Sequence, residues 1–505
     1  MTDRKPMPSA DELQRLADAS TNKSGDCIRP EDLRDAGLNH RDALLTVTDD
    51  AEIWRTPDGA TFASIRRDGH IEHHSILSRE FRDWMIMELG RRYKLNGRPA
   101  SVGENPIREA LNALEARAAL EGKVHKATVR VARAENTIVI DKGDPDWKAF
   151  EITKEGWQVA TNPLAHNVRN RRTAAFPDPF DHGDFEPLRR ILRRLDEDEF
   201  ILFVAWCLAA LWPEGPYPVL ILGGEQGSGK STIARLGQRL VDPVNGDLLQ
   251  PPTSDRDLIA AARNGRVLAF DNVSAMRPDL ADSLCRISTG AEIGGRALYT
   301  DHDMATFHAC RPIILNGIPD LAARGDLADR SVIIKLAPLT ETITESDFWS
   351  EVKAALPATI AALLDALVMG LRRIGEVPTP NMRMADFTRL IVAAEPALPW
   401  DEGDFLGAYE ASRRRMVTTI VEGDLVGDQI VNFVQRNGDF DGLISTLYNI
   451  LSQVLSPERK RLGDWPGNAR WFSDRLRRIA PALRTMGISV TTKETSNGTR
   501  VTIQK

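Results

Sequence analysis

The spacing of apolar residues changes along the chain and divides it into regions of different structure. Apolar runs and alternations typical of strands lie near residues 52, 61, 126, 137 and 149, and helical spacing occupies 78–93 and 105–120. This mixture predicts an α+β domain over residues 46–180, after a polar segment at 1–45. The proline-rich stretch Phe176–Phe180 marks the end of this domain.

A different pattern begins at residue 181. The apolar segment Leu188–Leu211 predicts one long helix, and strands then alternate with helices, which predicts a doubly wound α/β core within 181–345. Residues 346–420 have mainly helical spacing and predict a helical lid region. Pro357 is expected to break a helix there, because proline lacks the backbone N–H that a helix interior needs.

Composition restricts the class of protein. With 42% hydrophobic and 27% charged residues, the chain has the make-up of a soluble globular protein, and no stretch of about eighteen uncharged apolar residues predicts a membrane span. The first residues lack the apolar core of a signal peptide, so we expect a cytoplasmic protein with no membrane partner. The four cysteines are dispersed and have no zinc-ligand spacing.

Three histidines, His70, His73 and His74, stand close together in the N-terminal region. The side chains of His73 and His74 should point to opposite faces of a strand, and no suitably spaced further ligand accompanies the three. The sequence therefore predicts a surface strand here rather than a metal site.

A glycine-rich segment carries the most specific signal. The apolar run Val219–Leu222 leads into Gly224-x-x-x-x-Gly229-Lys230-Ser231 and then into a helix, which is the Walker A pattern in its required context. Backbone N–H groups of such a loop point at phosphate, Lys230 can reach the β- and γ-phosphates, and the Ser231 hydroxyl is placed to bind Mg²⁺. The sequence thus predicts an ATP and Mg²⁺ site. The expected nucleotide contacts are Gly224, Glu225, Gln226, Gly227, Ser228, Gly229, Lys230, Ser231 and Thr232.

Two later strands each end in a polar side chain. Arg266–Phe270 precedes Asp271, which suits a Walker B carboxylate that holds Mg²⁺ together with Ser231. The next apolar strand ends in Asn316, which we expect to position the attacking water near the γ-phosphate.

Arg330 lies just before another apolar strand. A fixed guanidinium can stabilise charge on a phosphoryl group in transfer, and an arginine supplied by a neighbouring subunit would make hydrolysis depend on assembly. A surface ion pair with Asp326 or Asp329 is the alternative role.

In their order, these motifs resemble the ATPase core of superfamily 3 helicases and their AAA+ relatives, with Leu284–Gly290 and Arg296–Thr300 at the matching intermediate positions. More narrowly, the chain is similar to the replicative helicase-like ATP-binding proteins of prophages, satellites and other mobile elements. The resemblance is specific over about 215–336 and weaker elsewhere. It implies an α/β P-loop NTPase core of AAA+-like type and a hexamer of identical subunits that translocates on single-stranded DNA in its pore.

One departure from this family concerns the catalytic base. Proteins of the wider AAA+ group usually carry Glu directly after the Walker B Asp, whereas this chain has Asn272, which can orient water but cannot accept its proton. Hydrolysis is then either slow or uses another proton acceptor, such as Glu225, Glu292 or solvent.

A second departure concerns the pore hairpin, which in this chain would be Arg296–Thr300, a turn at Asp301-His302-Asp303, and Met304–Ala309. The expected tip is acidic, and His302 is its only potential cation, so the tip is poorly suited to hold phosphate. Either flanking residues such as Arg296 hold the DNA, or the ring holds something else.

The C-terminal region, 421–505, combines a recognisable pattern of elements with positive charge. Helical spacing at 425–435, 443–455 and 469–486 precedes a hairpin at an Asn-Gly turn, which is the winged-helix arrangement. Between residues 459 and 505 there are eleven Lys or Arg and three Asp or Glu, a charge balance that favours duplex DNA as partner. The expected DNA contacts are Arg470, Arg475, Arg477, Arg478, Arg484, Lys493 and Arg500, together with His302 of the hairpin.

The third of these helices also has an expected buried face. Its apolar stripe is predicted to consist of Trp471, Phe472, Leu476, Ile479 and Leu483. A solvated helix face with a protein-docking role is the alternative to DNA binding, because winged helices also serve as protein contacts.

The sequence therefore favours a ring-forming, ATP-dependent DNA helicase or translocase that serves replication of a mobile element or prophage. An initiator or defence ATPase that switches without unwinding DNA is the first alternative, which Asn272 and the acidic hairpin tip favour. A winged-helix DNA-binding regulator with a vestigial NTPase domain is the second, which the complete Walker A pattern disfavours.

Overall fold

The computed structural model describes residues 31–273, 277–296, 304–307, 309–317, 325–339, 343–456, 465–496 and 498–505. The chain divides into two compact units, Met1–Ala127 and Thr128–Lys505, which are described separately. This division falls inside the region 46–180, which the sequence predicts as one domain.

Unit 1 packs helices against a mixed sheet of order β4-β3-β2-β7, in which β2, β3 and β4 are antiparallel and β7 is parallel to β2. Apolar side chains such as Leu44, Phe81 and Leu114 on the helices meet Ile65 of the sheet in one core. Its elements are β1 (Glu31–Asp32), α1 (His40–Thr46), β2 (Glu52–Arg55), β3 (Thr61–Arg67), β4 (His70–Ser75), α2 (Arg79–Arg92), β5 (Tyr93–Leu95), β6 (Arg98–Pro99), α3 (Glu104–Glu121) and β7 (Lys123–Val124).

Strand β4 is not the surface strand that the sequence predicts, because His70, Glu72 and His73 are all buried. Alternation along the strand places Glu72 between His70 and His74 on one face. Its two carboxylate oxygens are hydrogen-bonded to His70 Nε2 at 3.1 Å and to His74 Nε2 at 2.8 Å. The histidines therefore have a carboxylate partner that makes their burial tolerable.

Unit 2 begins with an antiparallel sheet of order β12-β11-β10-β9. Ile138, Ile140, Phe150 and Ile152 of this sheet are buried in the same core as the helices and parallel strands that follow. This shared core is the physical reason why residues 128–180 belong to the same unit as the parallel sheet. The strands are β8 (Ala127–Thr128, across the division), β9 (Val131–Ala134), β10 (Thr137–Asp141), β11 (Ala149–Ile152), β12 (Trp157–Ala160) and β13 (His166–Asn167).

The predicted helix over 188–211 is two helices, α4 (Glu186–Ile191) and α5 (Glu197–Leu211). Asp196 starts the second one with a capping box, in which its side chain accepts from the Glu199 N–H and Glu199 reciprocates. This cap, at the start of the acidic run Asp196–Glu199, explains why a new helix begins within the segment.

The centre of unit 2 is an entirely parallel sheet of order β15-β18-β14-β19, as the alternation of strands and helices predicts. The strand before the glycine-rich loop, β14, thus lies between β18 and β19, and β18 separates it from β15. The elements are β14 (Val219–Gly224), α6 (Lys230–Val241), α7 (Asp255–Asn264), β15 (Leu268–Val273), α8 (Pro278–Thr289), β16 (Ile293–Arg296), β17 (Met304–Phe307), β18 (Ile313–Gly317), α9 (Gly325–Ala328) and β19 (Ser331–Leu336).

Three longer helices follow, α10 (Glu345–Arg373), α11 (Ala385–Ala394) and α12 (Asp404–Gly423), with a short 3-10 turn at Glu395–Ala397. Pro357 does not break α10 as predicted, because both halves of this helix pack into the core of unit 2. Among the described helices, α10 is long and apolar enough to cross a membrane, and 72% of its apolar window is buried inside the protein.

The last elements are α13 (Leu425–Asn437), β20 (Phe440–Leu443), α14 (Ile444–Val454), α15 (Ala469–Thr485), β21 (Ser489–Thr495) and β22 (Gly498–Gln504). The helices and the hairpin lie where the sequence predicts them. Strand β20 was not predicted, and it adds to the hairpin as a third strand in the order β20-β22-β21. These elements have a core of their own, in which Leu447, Phe472 and Val501 are buried.

Candidate functional site

The loop between β14 and α6 has the backbone that the glycine pattern predicts. Gly224, Gly227 and Gly229 have φ angles of 143°, 79° and 82°, a region that disfavours residues with side chains. A Cβ atom on Gly224 would lie 2.6 Å from the carbonyl oxygen of Leu336, so this close approach also requires glycine. The loop ends at Gly229, the N-cap of α6, and therefore leads directly to a helix N-terminus that attracts anions.

Lys230 is the first residue of α6, and its side chain folds back over the loop. Its ammonium donates to the carbonyl oxygens of Gly224 at 2.9 Å and Glu225 at 2.6 Å. These bonds hold the ammonium beside the backbone N–H groups of the loop. A polyphosphate bound at the loop would meet this positive charge directly, as the sequence predicts.

The structure brings Ser231 and Asp271 together from positions 40 residues apart. The Ser231 hydroxyl donates to Asp271 Oδ1 at 2.8 Å, beside Lys230. A hydroxyl and a carboxylate are the hard oxygen ligands that Mg²⁺ prefers, so this pair fits the metal that the sequence predicts. When bound, Mg²⁺ would neutralise charge on the nucleotide phosphates.

Asn316 joins this pair, but its amide faces protein groups. Its Oδ1 accepts from the backbone N–H of Asn272 at 2.7 Å, and its Nδ2 lies 3.4 Å from Ser231 Oγ as a donor. The side chain is only 1% exposed. Asn316 thus contacts both Ser231 and the residue after Asp271.

Asn272 itself occupies an irregular point of β15. Its φ angle is 52°, a conformation that asparagine tolerates better than most residues, and the register between β15 and β18 shifts between Phe270 and Val273. This bulge turns the exposed Asn272 away from regular strand alternation. Asn272 directly follows Asp271, at the position where the wider AAA+ group usually carries Glu.

Arg330 lies at the amino-terminal ends of the parallel strands, whereas the glycine-rich loop lies at their carboxyl ends. Its carbonyl oxygen accepts from the N–H of Val219, the first residue of β14, whereas the loop follows the last residue of that strand. At about 3.3 Å per strand residue, the length of β14 separates Arg330 from the loop of its own chain. The neighbouring Asp329 is paired with Arg413 at 3.4 Å, and the Asp326 side chain lies outside the described residues.

Sequence reasoning missed Arg194, which touches the loop from the segment between α4 and α5. Its Nη1 donates to the carbonyl oxygen of Ser228 at 3.2 Å, and its Nη2 donates to the carbonyl oxygen of Ala337. Burial lowers the pKa of this guanidinium from its ordinary value. No motif marks Arg194, because its contact depends on how the segment folds across the loop.

Arg194 also lines a cavity of about 270 Å³ that begins beside Gly229. The other walls are largely apolar and include Ile191, Leu195, Leu339, Ile343 and Phe348. An apolar cavity that opens beside a phosphate-binding loop can enclose a nucleobase while the phosphates reach the loop.

The arginines expected to contact DNA divide into two groups. Arg475 is bonded to Asp424 at 2.9 Å, Arg477 to Asp474 at 2.6 Å, and Arg500 to Asp441 through two bonds of 2.8 and 2.7 Å. Within the described residues, the side chains of the other expected contacts show no hydrogen bond or ion pair; these are Arg470, Arg478, Arg484 and Lys493. His302 and the predicted hairpin tip lie outside the described residues.

Family comparison adds to this geometry. Residues 190–417 match a family model described as Actinomycete integrative conjugative element replication protein, and residues 426–505 match the AICE RepA C-terminal domain. The two matched regions are therefore similar to those of a mobile-element replication protein. They include the glycine-rich loop, Asp271, Asn316 and the basic helix α15. Among curated proteins, no match to the chain was found.

Solved structures similar to the chain include helicases. The SCCmec type IV Cch helicase is 14% identical over 90% of this chain and 93% of its own, with a TM-score of 0.48. The NrS-1 C-terminal region is 13% identical over 92% of this chain and 99% of its own, with a TM-score of 0.40. JCV helicase is 16% identical over 42% of this chain and 66% of its own, with a TM-score of 0.22.

Proposed function

We propose that the protein is an ATP-dependent DNA helicase or translocase that forms a ring, with a hexamer as the expected assembly, and serves replication of a mobile element. The observation that carries this proposal is the Ser231–Asp271 pair beside Lys230, since these groups fit Mg²⁺ and the phosphates of ATP. The cavity beside Gly229 supports a nucleotide by offering an apolar enclosure for its base, with α10 of the lid region on one side.

The strand order β15-β18-β14-β19 supports a core of the AAA+ or superfamily 3 type, because one strand lies between the Walker A and Walker B strands. The C-terminal helices with their three-stranded sheet support a winged helix, in which α15 faces duplex DNA. Single-stranded DNA would occupy the pore of the ring.

Arg330 acts in a neighbouring subunit in this proposal. Arg330 lies at the end of the strands remote from the loop of its own chain. This position supports action in trans, because its guanidinium cannot reach that loop without a large movement. Hydrolysis would then require that subunits assemble with one subunit's Arg330 beside the next subunit's Lys230.

DNA-stimulated ATPase activity, measured with the native mass in the presence and absence of ATP and Mg²⁺, tests the proposal. We expect turnover that rises with DNA and coincides with a ring-sized species. Lys230→Ala should abolish turnover. Arg330→Ala should still bind ATP without hydrolysing it, and normal turnover by this variant would contradict the role in trans.

Mixing the two inactive variants sharpens the test. An interface between an Arg330→Ala subunit and a Lys230→Ala subunit can contain one intact loop and one intact arginine. Partial recovery of ATPase activity on mixing is therefore expected if the sites are shared between subunits. Absence of recovery, with mixed assembly shown by native mass, would contradict shared sites.

An ATPase switch that assembles on DNA without unwinding it is the second candidate. It is favoured by Asn272, which supplies no carboxylate next to Asp271 and so predicts slow turnover. A forked DNA substrate distinguishes the two functions. ATP hydrolysis without strand displacement would support the switch, and displacement would support the helicase.

A further inference from the structure

Helix α15 carries one large aromatic side chain that is not part of its buried face. Trp471 is 64% exposed, although the sequence predicts it in the apolar stripe. The large apolar side chains that are buried, Phe472, Leu476, Ile479 and Leu483, share one face. At about 100° per residue, Trp471 projects roughly 110° away from the centre of that face.

The surroundings of Trp471 are positively charged. Arg470 precedes it, and Arg478 lies two helical turns further on the same side of α15. Both arginines are exposed, and their side chains show no hydrogen bond or ion pair within the described part of the chain. Their charges are therefore available to a ligand.

On helices α15 and α14, negative charge is already neutralised or missing. The single acidic residue of α15, Asp474, is paired with Arg477 at 2.6 Å. The adjacent helix α14 contains no charged residue at all. A polyanion that approaches Trp471 would thus meet two cations and no uncompensated carboxylate from these two helices.

We propose that Trp471 is an aromatic contact for DNA, placed between two phosphate-binding arginines, Arg470 and Arg478. The indole would pack on the face of a base or on a deoxyribose ring, while the guanidiniums bind the backbone on either side. This inference rests on the proposed function, because it assumes that α15 faces DNA. It commits to nucleic acid as the occupant, since an apolar protein partner would gain nothing from the two free cations.

The test measures binding of the full-length protein to three labelled DNAs by fluorescence anisotropy. The DNAs are a duplex of mixed sequence, one of its strands alone, and the duplex with a central run of mismatches. Trp471→Ala should weaken binding about tenfold to the single strand and to the mismatched duplex, which both contain unpaired bases. Trp471→Phe should restore most of the affinity, because a benzyl ring can still stack. Weaker binding of Trp471→Ala to the intact duplex as well would indicate that the indole contacts a deoxyribose ring.

Salt dependence separates the aromatic contact from the charged ones. Arg478→Ala should reduce the slope of log affinity against log salt by about 1, whereas Trp471→Ala should lower affinity and leave the slope unchanged. Val454→Ala is the matched control, because Val454 is also 64% exposed and apolar but lies on the uncharged helix α14. Its DNA binding should equal that of the wild type.

Unchanged affinity of Trp471→Ala for all three DNAs, alongside weaker binding by Arg478→Ala, would overturn this inference and leave the proposed function intact. Loss of self-association in Trp471→Ala without loss of DNA binding would overturn it in favour of a protein contact. Failure of the wild type to bind any of the DNAs would instead contradict the proposed function.

Discussion

Arg130 and Asp242 form a buried ion pair, with Nε and Oδ1 2.8 Å apart and side chains only 2% and 6% exposed. Arg130 lies directly before β9, and Asp242 directly follows α6, the helix that begins at the glycine-rich loop. The same carboxylate also accepts from the backbone N–H groups of Arg266 and Val267, next to the Asp271 strand. One carboxylate therefore connects the antiparallel sheet, the loop helix and the β15 strand.

Removing this carboxylate should destabilise unit 2. Asp242→Ala removes the charge partner of a buried guanidinium and the acceptor of two backbone N–H groups, and we expect a loss of about 3–5 kcal/mol in the free energy of unfolding. Urea denaturation followed by circular dichroism measures it. Arg133→Ala is the control, because its partner Glu214 is half-exposed and surface pairs contribute less than about 1 kcal/mol. Equal losses in the two variants would contradict this assignment.

Asn316 should act on turnover through the magnesium-ligand pair. Asn316→Ala removes the acceptor of the Asn272 N–H and the donor to Ser231, so we expect ATPase activity to fall about 10- to 100-fold and the Mg²⁺ requirement to rise. Titration of ATPase activity with Mg²⁺ checks both effects. Asn316→Asp keeps the acceptor and loses the donor, and it should fall between the wild type and Asn316→Ala. An unchanged Mg²⁺ requirement in Asn316→Ala would argue against this positioning role.

The glycine-rich loop could be predicted in detail because its motif specifies the local backbone. Gly224 and Gly229 adopt the positive φ angles that the loop needs. The apolar strand pattern predicts that Asp271 and Asn316 lie at the carboxyl ends of their strands, where the structure has them. In a parallel sheet, polar residues at the carboxyl ends of adjacent strands meet at one edge. Sequence order therefore contained enough information for the centre of the site.

Contacts between distant segments were not predictable in this way. The boundary at residue 127 depends on which apolar partner the β9–β12 sheet covers, and the apolar pattern alone fits several partners. Likewise, Arg475 and Arg500 are neutralised by Asp424 and Asp441, which lie far away in sequence. The pairing of Arg477 with Asp474 is different, because its i,i+3 spacing was readable from the sequence.

Arg194 should contribute to nucleotide affinity. Its guanidinium lies at the carbonyl of Ser228 and at the wall of the adjoining cavity, where a bound nucleotide would approach it. Loss of a charge-assisted contact predicts that Arg194→Ala weakens ATP binding about tenfold. Equilibrium binding of a fluorescent ATP analogue measures this effect. Arg190→Ala changes an exposed arginine of the same segment and should bind normally, whereas equal losses in both variants would point to a general charge effect.

The hydrogen-bonded row of His70, Glu72 and His74 should make unit 1 sensitive to acid. Burial alone would raise the pKa of Glu72, but its hydrogen bonds with His74 and His70 outweigh burial and hold the pKa below the ordinary 4.5. A carboxylate with a lowered pKa contributes stability that is present above pH 4.5 and is lost as the pH falls through the folded-state pKa. Glu72→Gln should lower the free energy of unfolding by about 1–2 kcal/mol at neutral pH.

In the Glu72→Gln variant, the free energy of unfolding should also depend less on pH, because glutamine does not titrate. Thermal unfolding between neutral pH and about pH 3 tests this, with the difference between wild type and Glu72→Gln expected to shrink as the pH falls below 4.5. Glu121→Gln, at the exposed end of α3, provides the control and should follow the wild type at every pH. If the difference between wild type and Glu72→Gln stayed constant across this range, the stabilisation would not come from the ionised carboxylate.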